Sequence, residues 1–199
     1  MRSLVSEATI CRLVHKMFRF YSLGHRSVTL LWYNASGFGV KNSINRDVRR
    51  QRKDMIRSIQ MEDAPALEHI CKTALGHETT SDHLKNRIQE LSHDPCYYIA
   101  VYEDDVTHQI QGFIQAGKYN LLYGDDGWNI IALAVSPKAQ RQGIGKQLLT
   151  SLEDQAAKRG DTFIRLNCNI VRSDAHAFYH HMQYTCDKTQ KRFIKRIER

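Results

Sequence analysis

Residues 55–199 predict a mixed α/β sandwich of one domain, and three observations carry that prediction. Short runs of strand character alternate with amphipathic helical stretches in the order β-α-α-β-β-β-α-β-α-β, without internal repeats or low-complexity tracts. A hydrophobic content of 42% with 25% charged residues belongs to a water-soluble globular chain able to bury a core. The charge is segregated: residues 1–54 hold eleven Lys+Arg against three acids, so they account for the whole net charge of +8 and residues 55–199 are neutral.

The elements follow in order. "MIRSIQ" (55–60) reads as a strand. Asp63 caps a helix with Pro65 in its first turn, where the missing N–H costs nothing, and Leu67, Ile70, Cys71, Ala74 and Leu75 form its buried stripe. Ser81 is placed to cap a second helix with Leu84, Ile88 and Leu91 on one face, and Pro95 ends that region. "CYYIAVYE" (96–103) and "QIQGFIQAGKY" (109–119) make a hairpin through Asp104 and Asp105. After the loop 120–127, "WNIIALAV" (128–135) is a near-continuous apolar run, as in a strand covered on both faces. Ile144, Leu148, Leu152 and Ala156 recur at i+4, with Lys158 and Arg159 in the last turn and Gly160 just past it. A strand over 162–169, a helix capped by Ser173 through Ala175, Phe178 and Met182, and a final strand over 191–197 complete the chain.

The basic segment 1–54 has no sustained helical period, and its longest apolar stretch, Val28 to Tyr33, is far too short to span a bilayer. It lacks the pattern of a secretory signal. Its Arg-rich, acid-poor composition is that of an organelle transit peptide or of a nucleic-acid arm. Because strand and capped helix begin cleanly at Met55, we read Met55 as the natural start and residues 1–54 as a poorly ordered or dispensable extension. The five cysteines are odd in number, scattered and without a CxxC pair, which suits a reducing cytoplasm better than a disulfide framework or a zinc site.

Gly143 and Gly145 stand one residue apart between an apolar run and a helix, in "QRQGIGKQ". A Walker A loop would need a glycine where Gln140 stands and a hydroxyl where Gln147 stands, so that reading fails. A dinucleotide fingerprint would need a glycine in place of Leu148, and it fails too. A loop that opens on a helix N-terminus and offers free backbone N–H groups to a pyrophosphate does fit, with Arg141 and Lys146 adding positive charge. A glycine-marked turn that only packs a helix on a sheet fits the pair equally well by itself.

"LAVSPKAQRQGIGKQLL" resembles the acyl-CoA-binding motif [QR]-x-x-G-x-[GA] of the GNAT superfamily of N-acetyltransferases, with Gln140, Gly143 and Gly145 matching it and Leu133, Val135 and Pro137 matching its approach. "RSDAHAFYHHMQY" is similar to the family's A-x-x-F-Y-x-x-x-G-[FY] helix at Ala175, Phe178, Tyr179 and Tyr184, with Gln183 in place of the glycine. Arg172, Ala175 and His176 fit an R-x-x-A-H-x-F-Y variant frequent among small-molecule acetyltransferases. The resemblance covers about residues 55–199. It implies a single GNAT-like α/β domain, with a mixed, mostly antiparallel central sheet of six to seven strands flanked by about four helices.

It also implies acetyl-CoA as co-substrate, no metal, and a small-molecule or peptide amine as acceptor. The backbone of Leu133, Ala134 and Val135 would bond the pantetheine, and the N–H of Leu133 would polarise the thioester carbonyl. The backbone of Arg141, Gln142, Gly143, Ile144, Gly145 and Lys146 would hold the pyrophosphate. Tyr179 would be the general acid for the leaving thiolate. Many relatives carry a basic glutamate where this chain has Asn129, which leaves Asp125, Asp126, Glu103 or a water chain to take the amine proton. Acceptor choice would fall to the helix pair (63–92) and the loop 120–127, and a homodimer is a family-level expectation. His176 and His180 share a helix face as metal ligands can, without a recognisable third ligand. No G-x-S-x-G elbow is present, and Cys168 near a strand end reads as structural. The competing reading is a non-catalytic acyl-CoA-binding or regulatory module whose basic leader docks nucleic acid.

Overall fold

The computed structural model describes residues 55–197, so the basic segment 1–54 and the readings placed on it lie outside the described residues. Five strands and four helices alternate: β1 (Ile56–Ser58), α1 (Ala64–Ile70), α2 (Ser81–Leu91), β2 (Tyr97–Glu103), β3 (Ile110–Tyr119), β4 (Gly127–Val135), α3 (Ile144–Arg159), β5 (Phe163–Leu166) and α4 (Ser173–His181). The strands form one sheet in chain order. β1 to β4 pair antiparallel, while β5 joins β4 in parallel, as the α3 crossover between them requires.

The described residues thus contain five strands, not the six to seven expected. Residues 191–197 form no strand, and Phe193, Ile194 and Ile197 stay 88%, 71% and 78% exposed. The reason lies in their alternation. Phe193 and Ile197 share a face with Lys195, and Ile194 shares the other with Arg192 and Arg196. Burying either face would therefore bury a cation.

Alternation in the strands sorts the core onto the two faces of the sheet. Ala100, Tyr102, Ile114, Ala116, Trp128 and Ile130 face α3, meeting Ile144, Leu148, Leu149, Leu152 and Ala156. Val101, Phe113 and Ala134 face the opposite way, onto Leu67, Ile70 and Cys71 of the first helical segment and Ile88 of α2. α1 continues through a π-type turn, Cys71–Leu75, so the expected stripe is real but its last turn is wider than an α-helix. Each large side chain buried this fully contributes about 1.5–3 kcal/mol.

Two partly buried ion networks fix the ends of the sheet. Arg57 on β1 forks onto Asp63 at 2.7 and 2.8 Å and donates from Nε to Glu103 on β2 at 2.5 Å. Asp63 is 5% exposed and also accepts from the Gln60 N–H at 2.8 Å; it stands at the cap position of α1 but makes no side-chain cap bond there, and instead ties two strands to the helix start. At the other end Asp161 pairs with Lys118 of β3 and accepts from Trp128 Nε1 at 2.7 Å. Burial alone would raise the Asp161 pKa, but these two donors outweigh it and hold the carboxyl below its ordinary value.

Two caps differ from expectation by one residue. Thr80 caps α2, its Oγ1 accepting from the His83 N–H at 3.3 Å, while Ser81 reaches Glu68 and ties α2 to α1. Arg172 occupies the cap position before α4, and Ser173 is its first helical residue.

Candidate active site at a strand fork

The apolar run of β4 does not alternate evenly. Gln115 pairs with Ala132 and Ala116 with Ile130, which leaves Ile131 as an extra, bulged residue, 53% exposed. Before the bulge Trp128 and Ile130 point toward α3. After it Leu133 and Val135 do so, while Ala132 and Ala134 turn to the other face. One inserted residue thus keeps the large side chains on one face while bending the strand.

The bend coincides with a parting of strands. β4 pairs with β5 only from Gly127 to Ile130, opposite Phe163 to Leu166. Beyond Ile130 the β4 edge has no β5 partner. The Ser136 N–H bonds the Gln111 carbonyl of β3 at 2.8 Å. Since backbone groups alternate sides along a strand, those of Ala134 also point to β3, and those of Leu133 and Val135 point out into the fork. An extended ligand laid there would find strand-like partners.

The loop after β4 brings the glycine pair beside this edge. Pro137 opens a 3₁₀ turn, Pro137–Ala139, anchored by Ala139 at 5% exposure. Gln140 Nε2 donates to the Val135 carbonyl at 3.3 Å, closing the loop onto the strand end. Arg141 and Gly143 both have left-handed φ, +61° and +84°. α3 starts at Ile144, whose side chain is 2% exposed in the core. The N–H groups of its first turn, at Ile144, Gly145 and Lys146, therefore aim outward without intrahelical acceptors. A side chain at Gly143 would meet nothing within 4 Å, so the loop presents open space where the helix dipole is positive. Gly145 packs on α4: a Cβ there would lie 3.5 Å from Phe178 and 3.8 Å from Val135, ordinary contact distances.

α4 forms the other wall. Phe178, Tyr179, Met182 and Tyr184 pack with Leu133 and Val135 against the α3-side core. Tyr179 stacks edge-on with Phe178 at 5.2 Å and Tyr184 at 5.8 Å. Its hydroxyl makes no hydrogen bond among the described residues. Burial first, and the neighbouring Cys168 second, push its pKa up to about 12, with Arg172 pulling the other way. Arg172 donates to the Leu75 carbonyl at 3.3 Å, tying α4 to the end of the first helical segment.

The sequence pattern of the Acetyltransferase (GNAT) family matches residues 54–184, which include every element of this fork. The chain belongs to the GNAT acetyltransferase family. It is 29% identical over 118 residues to the N-acetyltransferase YhdJ of Bacillus subtilis, covering 59% of this chain and 78% of that one. It is 34% identical over 83 residues to the aminoalkylphosphonate N-acetyltransferase of Salmonella typhimurium, covering 42% of this chain and 52% of the relative. The fold matches an aminoglycoside 6'-N-acetyltransferase from Acinetobacter baumannii with a TM-score of 0.61 at 16% identity, over 72% of this chain and 98% of that one.

On this GNAT scaffold Gly145 lies against Phe178 and Val135, and Tyr179 stacks on Phe178, whereas Ala134 is 4% exposed with its backbone in the β3 ladder. Of the three carboxylates named as bases, one is engaged by other side chains and two stand at the far end of β4. Glu103 is held by Arg57 and by His108 Nδ1 at 2.9 Å, and the Arg57 and His108 hydrogen bonds keep its pKa low. Asp125 and Asp126 precede the start of β4, about 20 Å along the strand from Leu133 at about 3.3 Å per residue. His176 Nε2 lies 3.0 Å from the Asn169 carbonyl, and no cluster of three metal-ligating side chains occurs among the described residues. No helix among them is long and apolar enough to cross a membrane.

Sequence reasoning missed a cavity of about 370 Å³ on the opposite face of the fork. Tyr97, Tyr119, Asn129, Ile131, Arg165 and Asn167 line it. α1 and α2 cover only the far half of that face, over Val101, Phe113 and Ala134. The alternation of β5 put Arg165 on the same face as Asn129, but the parallel register that sets them side by side is a tertiary fact.

Proposed function

We propose that this GNAT protein transfers an acetyl group from acetyl-CoA to the primary amine of a small molecule or peptide, by direct attack of the amine on the thioester. The observation that carries this reading is the outward-facing backbone of Leu133 and Val135 in the fork, flanked by the Gly143 loop and the Tyr179 hydroxyl. The donor set suits acetyl-CoA. Free N–H groups at the α3 N-terminus, with exposed Arg141 and Lys146, match a pyrophosphate, and a strand edge without a β5 partner matches the amides of pantetheine.

In the reaction an N–C bond forms as the C–S bond breaks. The amine must lose a proton, because an ordinary alkylammonium (pKa about 10) is not a nucleophile. The Leu133 N–H points where negative charge develops on the carbonyl oxygen and stabilises it without reorganising. The Tyr179 O–H donates a proton to the departing sulfur. Burial raises the phenol pKa and so keeps Tyr179 protonated, with a proton to give. With Asn129 unable to act as a base, and with Glu103, Asp125 and Asp126 engaged elsewhere or far along β4, the amine proton passes to solvent water.

One relative supports a small acceptor, being named for aminoalkylphosphonates. Arg172, Ala175 and His176 agree with it as the small-molecule motif variant. Calorimetric titration of the full chain with acetyl-CoA, NAD and ATP tests the reading. Selective acetyl-CoA binding followed by thiol release with an amine upholds it; binding without thiol release across an amine panel leaves a non-catalytic acyl-CoA module instead.

A further inference from the structure

Resting on that reading, the structure goes on to name a class of acceptor. We infer that the cavity at the fork binds an amine carrying an oxyanion, with Arg165 as its anchor. The thioester position in the fork can be approached from two sides. One is walled by α3 and α4, and the other lies toward Ile131 and Asn167, which line the cavity. Ile131 is two residues from Leu133 along β4, about 7 Å. A small amine in the cavity therefore has its nitrogen near the reacting carbonyl and its other end farther along the sheet.

What that other end meets is a guanidinium. Arg165 lies beside Asn129 in the β4–β5 register, its planar group 4.6 Å over the Tyr119 ring and one Nη2 donor 3.2 Å from Asn167 Oδ1. Ring and amide hold the group in place and leave most of its five donors unused. Among the described residues no carboxylate pairs with Arg165 and no Asp or Glu lines the cavity. The second cation there, Lys118, is already neutralised by Asp161. The cavity thus offers one oriented, unneutralised fork, the geometry that takes a carboxylate or phospho group in two parallel hydrogen bonds.

The same charge bears on the chemistry. A cation near the amine disfavours its ammonium form, so more of the acceptor is neutral when it reaches the thioester. That eases the loss of a proton at a site where Asn129 supplies no base. A purely cationic acceptor would be repelled.

The test is a matched series of aminoethyl compounds: ethanolamine, β-alanine, 2-aminoethylphosphonate and 1,2-diaminoethane. With the full chain, kcat/KM for the two anionic amines should exceed that for ethanolamine by about tenfold to hundredfold, the range for a hydrogen-bonded charge. Diaminoethane should be poorest. Arg165→Gln should bring the anionic-to-ethanolamine ratio toward one while acetyl-CoA affinity, which reports an intact fold, is kept. Ethanolamine or diaminoethane equalling the anionic amines in the wild type would overturn the inference. So would an Arg165→Gln variant that loses activity on all four in equal proportion. Binding of 2-aminoethylphosphonate, measured calorimetrically with CoA present, separates the two readings. Binding well above ethanolamine without acetyl transfer upholds the anion site and sinks the catalytic reading; transfer to all four without preference does the reverse.

Discussion

Gly143→Ala separates the two reasons for a glycine at that position, backbone strain and ligand approach. With φ at +84°, any L side chain there is strained, at about 1–2 kcal/mol for one left-handed residue. Because a Cβ meets nothing within 4 Å, no clash adds to that. Gly160 is a matched control: it also ends in a left-handed φ, +75°, with nothing within 4 Å of a Cβ, but at the far end of α3. Both alanine variants should therefore lose the same stability, a Tm drop of about 2–8 °C for a domain of this size. Ligand should tell them apart. At one hundred times the wild-type Kd, acetyl-CoA stabilises by about 2.7 kcal/mol, and a tenfold weaker site reduces this to about 1.4. Thermal unfolding with and without acetyl-CoA should give Gly160→Ala the full increment and Gly143→Ala half of it or less. Equal increments would refute the argument that a pyrophosphate occupies the space beside Gly143.

Tyr179→Phe should lower kcat by about a hundredfold or more with acetyl-CoA affinity kept; because burial pushes the phenol pKa up to about 12, wild-type activity should show no alkaline loss from this group around pH 10, where an ordinary tyrosine ionises. Asp161→Ala strands Lys118 and the Nε1–H of fully buried Trp128, and urea unfolding should show a loss of about 3 kcal/mol or more. Since the Asp161 pKa is depressed in the fold, its contribution is complete above the unfolded value near 3.9 and falls away as pH drops through the lower folded value, so wild type and variant should converge in acid. Deleting Ile131 restores even alternation and keeps Trp128, Ile130, Leu133 and Val135 on one face, so the protein should fold while β4–β5 pairing extends into the fork; acetyl-CoA affinity like that of the wild type would show that the bulge does not make the site.

The elements themselves were legible because periodicity is local. The Leu67–Leu75 stripe, the hairpin through Asp104 and the i+4 ladder of α3 all stand where the pattern places them. Caps slipped by one residue because Thr80 and Ser81 are both competent oxygens, and only the path of the chain makes Ser81 reach Glu68. The last strand was misread because "KRFIKRI" has β-type composition without a clean apolar face. β4 was the deepest gap. The apolar stretch from Ile130 to Val135 announces burial on both faces but hides the parity shift at Ile131, since alternation cannot be read where every residue is apolar. The glycine loop and Tyr179 were visible as motif positions. The carboxylate bases were not resolvable, because sequence order says nothing about which strand ends meet.

The missing base and the Arg165 cavity are two sides of one arrangement. A glutamate at position 129 would face Arg165 across the parallel β4–β5 register, and the pair would neutralise each other. Asn129 avoids that. It gives up a proton acceptor and leaves the guanidinium free to hold a substrate anion and to favour the neutral amine by its charge. The double variant Asn129→Glu with Arg165→Gln should then invert the preference of the site, from anionic toward cationic amines. Asn129→Glu alone should abolish the preference for anions by occupying Arg165 from within. If Asn129→Glu instead leaves the anion preference at its wild-type value, the two side chains do not share one electrostatic site, and the loss of the base must be compensated elsewhere in the fork.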